Sequence, residues 1–95
     1  MEKIKSILIN LEIAEFKNAK TGEVNTMTKI SYTYPREKTD TSVGPNILTC
    51  YRPGNIISKV SVYVGREVNL EIDERYDQQK NVWKKTIKKI ENIEV

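Results

Sequence analysis

Histidine is absent from the 95-residue chain, and cysteine occurs once, at Cys50. Without histidine the commonest general base is missing, and so are the Ser–His and Cys–His couples of nucleophilic catalysis. One thiol forms neither an internal disulfide nor a cysteine metal cluster, and with no imidazole beside it there is no basis for a zinc site. The four glycines, Gly22, Gly44, Gly54 and Gly65, are scattered, so no glycine-rich phosphate loop exists. The oxygen-rich stretch "DERYDQQ" lacks the glycine that an EF-hand loop needs and reads as a solvated acidic hairpin. Mid-strand between Thr49 and Tyr51, Cys50 reads as a small buried hydrophobe rather than a nucleophile. Long apolar runs are missing too: the longest, "ILI" at Ile7 to Ile9, stops at Asn10, far short of a membrane span. Glu12 and Glu15 stand where a signal peptide would carry its small-residue cleavage region. A cytoplasmic, non-enzymatic protein is expected, with no metal, no cofactor and no membrane association.

What is present suits one small domain spanning residues 1–95, long enough for a single core. Sixteen basic against thirteen acidic residues give a net charge of +3 and a pI near 9.0. The charges are segregated. Five acids (Glu67, Glu71, Asp73, Glu74, Asp77) and one base, Arg75, lie between Glu67 and Asp77, whereas five lysines and no acid lie between Lys80 and Lys89. The sign changes across one turn, which predicts two sides with opposite fields.

Ile7, Ile9, Leu11 and Ile13 fall at every second position, against Asn10, Glu12 and Ala14, which predicts a half-buried strand. It ends at "KNAKTGE", and a second strand, "VNTMTKISYTYP", completes a hairpin up to Pro35. Residues 35–46, "PREKTDTSVGPN", have no periodicity and are expected to be a mobile loop. A short strand "ILTCYR" follows. From Asn55 to Gly65 the spacing of Ile56, Ile57, Val60 and Val64 suggests one or two helical turns, capped by Asn55 and ended by Gly65. The competing reading there is a strand, because Val60, Val62 and Val64 alternate. "REVNLEIDE" is a clean strand, and "YDQQKN" is a turn. The last element, around "NVWKKTIKKIE", reads as a strand in which Ile90 and Ile93 reach the core only through a bulge; as a helix, Trp83, Ile87 and Ile90 would form a stripe. The predicted fold is thus mostly β, a small five-stranded OB-like barrel with one short helix between strands 3 and 4.

Without catalytic groups, binding is the function to consider. Single-stranded nucleic acid is held by a basic groove and by aromatic rings on which bases stack. The candidate residues are Tyr32, Tyr34 and Arg36, Tyr51 and Arg52, and Trp83 with Lys84 and Lys88. As a strand, the last element puts Lys84 and Lys88 outward and Trp83 and Ile87 inward, with Lys85 snorkelling to the rim. Bland readings stand beside these. Tyr32 and Tyr34 share the parity of Ile30 and are equally expected in the core, Trp83 is more often a core or rim plug than a platform, and lysines form a solvated face by default. Phe16 is expected either exposed or packed under the loop.

Length, strand order and the terminal hairpin "VGREVNLEIDE…VWKKTIKKI" together resemble the small helix-destabilising, single-stranded-DNA-binding proteins of phages and mobile elements. That resemblance implies an OB fold, a homodimer, cooperative coating of single-stranded DNA (RNA remaining open) and little sequence preference, in replication or recombination. Glu37 and Asp40 depart from it, since they sit in the loop that should help to hold DNA. The alternative is a protein-interaction module that docks a basic partner through an exposed strand edge or the acidic "EIDERYD" hairpin.

Overall fold

In the computed structural model, which describes residues 1–95, the alternating runs form six strands. These are β1 (Glu2–Lys17), β2 (Val24–Tyr34), β3 (Asn46–Pro53), β4 (Glu67–Asp77), β5 (Val82–Ile90) and β6 (Ile93–Glu94). One helical turn, α1 (Ile57–Val60), continues as a 3-10 turn over Ser61–Tyr63. Every ladder is antiparallel and the sheet order is β3-β2-β1-β4-β5-β6.

The first strand is shared between two halves of the sheet. Glu2 to Ile7 pair with β4, and Leu8 to Lys17 pair with β2. At the handover Ile9 is an extra residue, because Leu8 opposes Tyr32 while Asn10 opposes Ser31. A bulge of this kind bends the strand and reverses which parity faces inward. The expected single face of Ile7, Ile9, Leu11 and Ile13 is therefore incorrect. Before the bulge Ser6 and Leu8 are buried and Ile7 is exposed, whereas after it Leu11 packs against the core.

The fold is mostly β, an antiparallel six-stranded sheet with one short helix; the sheet curls, but no ladder closes it into a barrel. Cα atoms of β3 and β5 come within 8 Å, yet no ladder joins the two strands. Since each successive ladder is antiparallel, β3 and β5 run parallel, a pairing somewhat weaker per residue than the antiparallel ones already made. At one end β3 is tied to the C-terminus instead: Arg52 Nη2 donates to the Val95 carbonyl at 2.6 Å.

The core inside the curl is Leu8, Ile30, Tyr32, Cys50, Val68, Leu70, Ile72, Ile87 and Ile90, with Ile56 and Val60 of the helical segment completing it. Fully buried Thr28 ties that segment down, donating its hydroxyl to the Gly54 carbonyl (2.7 Å) and accepting the Ile56 N–H (3.1 Å). The helical reading of Asn55 to Gly65 holds, and Asn55 Oδ1 accepts the Ile57 N–H at 3.1 Å, although the N-cap position itself falls on Ile56. Gly65 has φ +81°, a left-handed conformation that suits a residue without Cβ, and its N–H bonds to the Leu8 carbonyl at the bulge.

The last long element is a strand. Lys88 is its extra residue, between the pairs Ile72–Ile87 and Glu71–Lys89, and this bulge turns Ile90 into the core as the sequence demanded. Residues 35–45 fold back on themselves through paired backbone bonds of Thr39 and Ser42. No helix is long and apolar enough to cross a membrane.

Candidate nucleic-acid interface

Where β3 and β5 splay apart, a groove of about 720 Å³ opens. Leu48, Thr49, Cys50 and Tyr51 of β3 form one wall, and Trp83, Lys84, Lys85 and Thr86 of β5 form the other. Phe16 comes from the end of β1, Lys80 from the β4–β5 turn, and Tyr32 contributes from beneath. Three lysines and four aromatic rings line it, with no acidic residue. A second cavity, about 530 Å³, mixes Lys3, Lys5 and Lys89 with Glu71 and Glu91 and so lacks a single sign of charge.

The two walls carry aromatic pairs built by cross-strand register. Trp83 opposes Tyr76 on β4, and their rings lie 5.2 Å apart at a 57° tilt. The Tyr76 hydroxyl donates to Asn81 Oδ1, and Asn81 holds the hairpin turn at φ 57°. Trp83 shares the inward parity of Ile87 but lies beyond the end of the core, so it is 64% exposed. On the opposite wall, Phe16 and Tyr51 meet edge to face at 5.5 Å, each with nearly half of its surface accessible. Offset and edge-to-face pairs of this kind contribute about 0.5–1.5 kcal/mol beyond the area they bury, which restrains the exposed rings.

The segregated charges do not produce two opposite fields, which corrects the sequence expectation. Antiparallel pairing folds the acidic run of β4 onto the basic run of β5. Glu74 faces Lys85 (3.4 Å) and Glu71 faces Lys89 (3.8 Å), while Lys84 reaches diagonally to Asp77 (2.9 Å) and Lys88 to Asp73 (4.0 Å). Lys85 is further held by Glu2 at 3.5 Å and lies 4.7 Å above the Tyr34 ring. Burial pulls its ammonium down, but the Tyr34 hydroxyl, Glu2 and Glu74 outweigh this and leave its pKa raised. The Asp77 carboxyl is lowered, chiefly by its bond to Lys84 and then by the Lys80 N–H. Lys80 makes no ion pair.

Of the candidates read from sequence, Tyr51, Trp83 and Lys84 meet at the groove, with Tyr32 beneath them in its floor. Tyr32 needs correction, because its ring is wholly buried between Leu8 and Leu48, its register partners, and presents no stacking surface. Its hydroxyl has no hydrogen-bond partner, and burial, with the negative forms of Cys50 and Tyr34 and then Glu2 adding to it, pushes the phenol above its ordinary pKa. Cys50 is raised by burial as well, which keeps it a protonated core thiol. Tyr34, Arg36, Arg52 and Lys88 do not line the groove. Tyr34 is half-buried and donates to Glu2 at 2.7 Å, and Arg36 is engaged by Gly44 O and Asn46 Oδ1. Arg52 is held at Val95, and Lys88 is the bulged residue beside Asp73. Sequence reasoning missed Phe16, Tyr76 and Lys80 as site residues and set Lys85 at the rim as a weaker candidate; counting back from the "QQKN" turn would have set Tyr76 opposite Trp83. In comparisons with known proteins the chain matches no protein-family model, and neither a curated protein nor a solved structure shows significant similarity to it.

Proposed function

We propose that the protein binds single-stranded nucleic acid in the groove between β3 and β5, without catalysis and with little sequence preference. One observation carries the reading: exposed aromatic platforms on both walls flank an acid-free strip holding Lys80, Lys84 and Lys85. Bases of any identity offer a π-face, so stacking on Tyr51 and Trp83 would hold them irrespective of sequence, while the lysines meet phosphates. Duplex presents its bases already stacked and would leave those rings unused. The OB-like barrel belongs to this proposal as well. The order β3-β2-β1-β4-β5 sets β3 beside β5, the pair whose contact would close a ring, and single strands bind across such barrels. A homodimer, a cytoplasmic setting and a role in phage or mobile-element replication rest on the outline resemblance alone. The unpaired edge of β3, and that of β5 before β6 covers its end, favour a second reading, addition of a peptide strand. The acidic hairpin is a weaker docking surface than its composition suggests, since Glu71, Asp73, Glu74 and Asp77 are engaged by lysines.

Trp83 is the only tryptophan, so intrinsic fluorescence reports directly on the groove. Oligo(dT) and oligo(U) should quench it saturably at low salt, with affinity falling as salt rises by a log–log slope of about −0.7 per neutralised phosphate. Replacing Lys80 and Lys84 by Ala should weaken binding to all sequences alike and flatten the slope by roughly one. Absence of quenching and of retention on single-stranded DNA at low salt would refute the reading and turn attention to peptide ligands.

A further inference from the structure

We propose that Glu2, Glu74 and Asp77 are built-in competitors for the groove lysines, so that an incoming phosphate has to displace a carboxylate, and that these acids set the affinity and salt response of the site. The inference rests on the single-strand reading above. None of the three acids lines the groove, yet between them they hold two of its three lysines: Asp77 Oδ2 holds Lys84 at 2.9 Å, and Glu2 and Glu74 hold Lys85 at 3.5 and 3.4 Å. Each arrangement allows exchange without stranding a buried charge. Asp77 uses its other oxygen, Oδ1, to accept the N–H groups of Gln79 (3.0 Å) and Lys80 (3.2 Å), so the turn keeps its anchor when Lys84 leaves. Glu2 keeps the Tyr34 hydroxyl as a donor when Lys85 leaves. The acids are accessible enough for water to replace the lysine. Each of these ion pairs has at least one partner open to solvent, and such pairs contribute little free energy, which keeps the exchange with phosphate from being prohibitive. Lys80, with no carboxylate partner, makes the first contact at no such cost. Lys88 and Lys89 are paired in the same manner, but away from the groove, and take no part.

The test compares the intact chain with Asp77→Asn combined with Glu74→Gln, using anisotropy of a labelled oligo(dT) across a salt series. Both amides preserve size, and the carboxamide introduced by Asp77→Asn retains an oxygen for the turn. The expected result is binding about two- to tenfold tighter at low salt and a steeper slope, by up to about 0.7 for Lys84, which loses its carboxylate partner, and by less for Lys85, which Glu2 still holds. Glu12→Gln combined with Glu67→Gln, which removes an equal charge from exposed sites on β1 and β4, should have less effect. In a carbon-detected titration of the intact chain, saturating oligo(dT) should raise the Asp77 pKa toward its ordinary value, because Lys84 has moved to phosphate. Oligo(dT) binding by the parent with unchanged affinity and slope in the variant overturns the competition and leaves the single-strand reading standing. An equal gain from Glu12→Gln with Glu67→Gln overturns it too, as a general charge effect. If neither parent nor folded variant binds, both readings fall together.

Discussion

Replacing Trp83 by Ala separates the two roles open to the largest apolar side chain. A fully packed aromatic removed from a core costs about 3–5 kcal/mol. Trp83 is 64% exposed, so only about a third of its surface is removed from water, mostly against Tyr76. Taking a tryptophan surface of about 250 Å², that is roughly 90 Å², and at about 25 cal/mol per Å² the burial contributes close to 2 kcal/mol at most. Residual burial in the unfolded chain lowers this to about 1.5 kcal/mol, and the Cβ left behind lowers it further. Urea unfolding followed by far-ultraviolet circular dichroism should therefore show a loss of about 1 kcal/mol with an unchanged m-value. Affinity for a labelled oligo(dT) should fall by about 1–3 kcal/mol, roughly five- to 150-fold. Because the ring meets a base face rather than a phosphate, the salt slope should stay where it was. A stability loss of 3 kcal/mol or more would show that the ring is structural. Unchanged affinity in a stable variant would remove it from the interface.

Three further outcomes follow from buried or paired groups. Thr28→Val deletes a buried hydroxyl that serves Gly54 and Ile56 together, leaving both unpaired; urea unfolding should show a loss of about 1–3 kcal/mol, with the helical segment loosened first in hydrogen exchange. Tyr32→Phe removes a buried hydroxyl that has no partner, so thermal unfolding should show stability unchanged or raised by about 1 kcal/mol, and a clear loss would reveal a partner for that oxygen. Asp77 has a folded-state pKa below its ordinary 3.8, so its contribution is fully present above that value and fades as pH falls through the lowered one. Acid titration of Trp83 fluorescence should accordingly show the β4–β5 hairpin loosening below about pH 4, a transition that Asp77→Asn should diminish.

Local chemistry made much of the fold legible in the sequence, because strand periodicity, turn residues and caps act over a few neighbours. Val24 to Tyr34, the helical segment before Gly65 and the final strand stand where their residues predicted, and even the bulge that admits Ile90 was implied by an isoleucine at the wrong parity. The bulge at Ile9 was not legible, since the run from Ile7 to Ile13 alternates without a break. It arises because β1 changes partner, a demand of the whole sheet rather than of that run. The candidate site divides in the same manner. Aromatic and basic residue types were visible, and Tyr51, Trp83 and Lys84 were among those singled out. Which side chains meet was decided by long-range register and by the failure of β3 and β5 to pair. Those two effects bury Tyr32, turn Arg52 toward Val95, bring Phe16 and Lys80 to one groove, and place the acids of β4 on the lysines of β5. The linear sequence determined the kinds of side chain available and the elements that carry them. Only the tertiary structure decided their partners, because a charge or a ring acts over a few ångströms and the chain brings residues 30 or more positions apart within that distance.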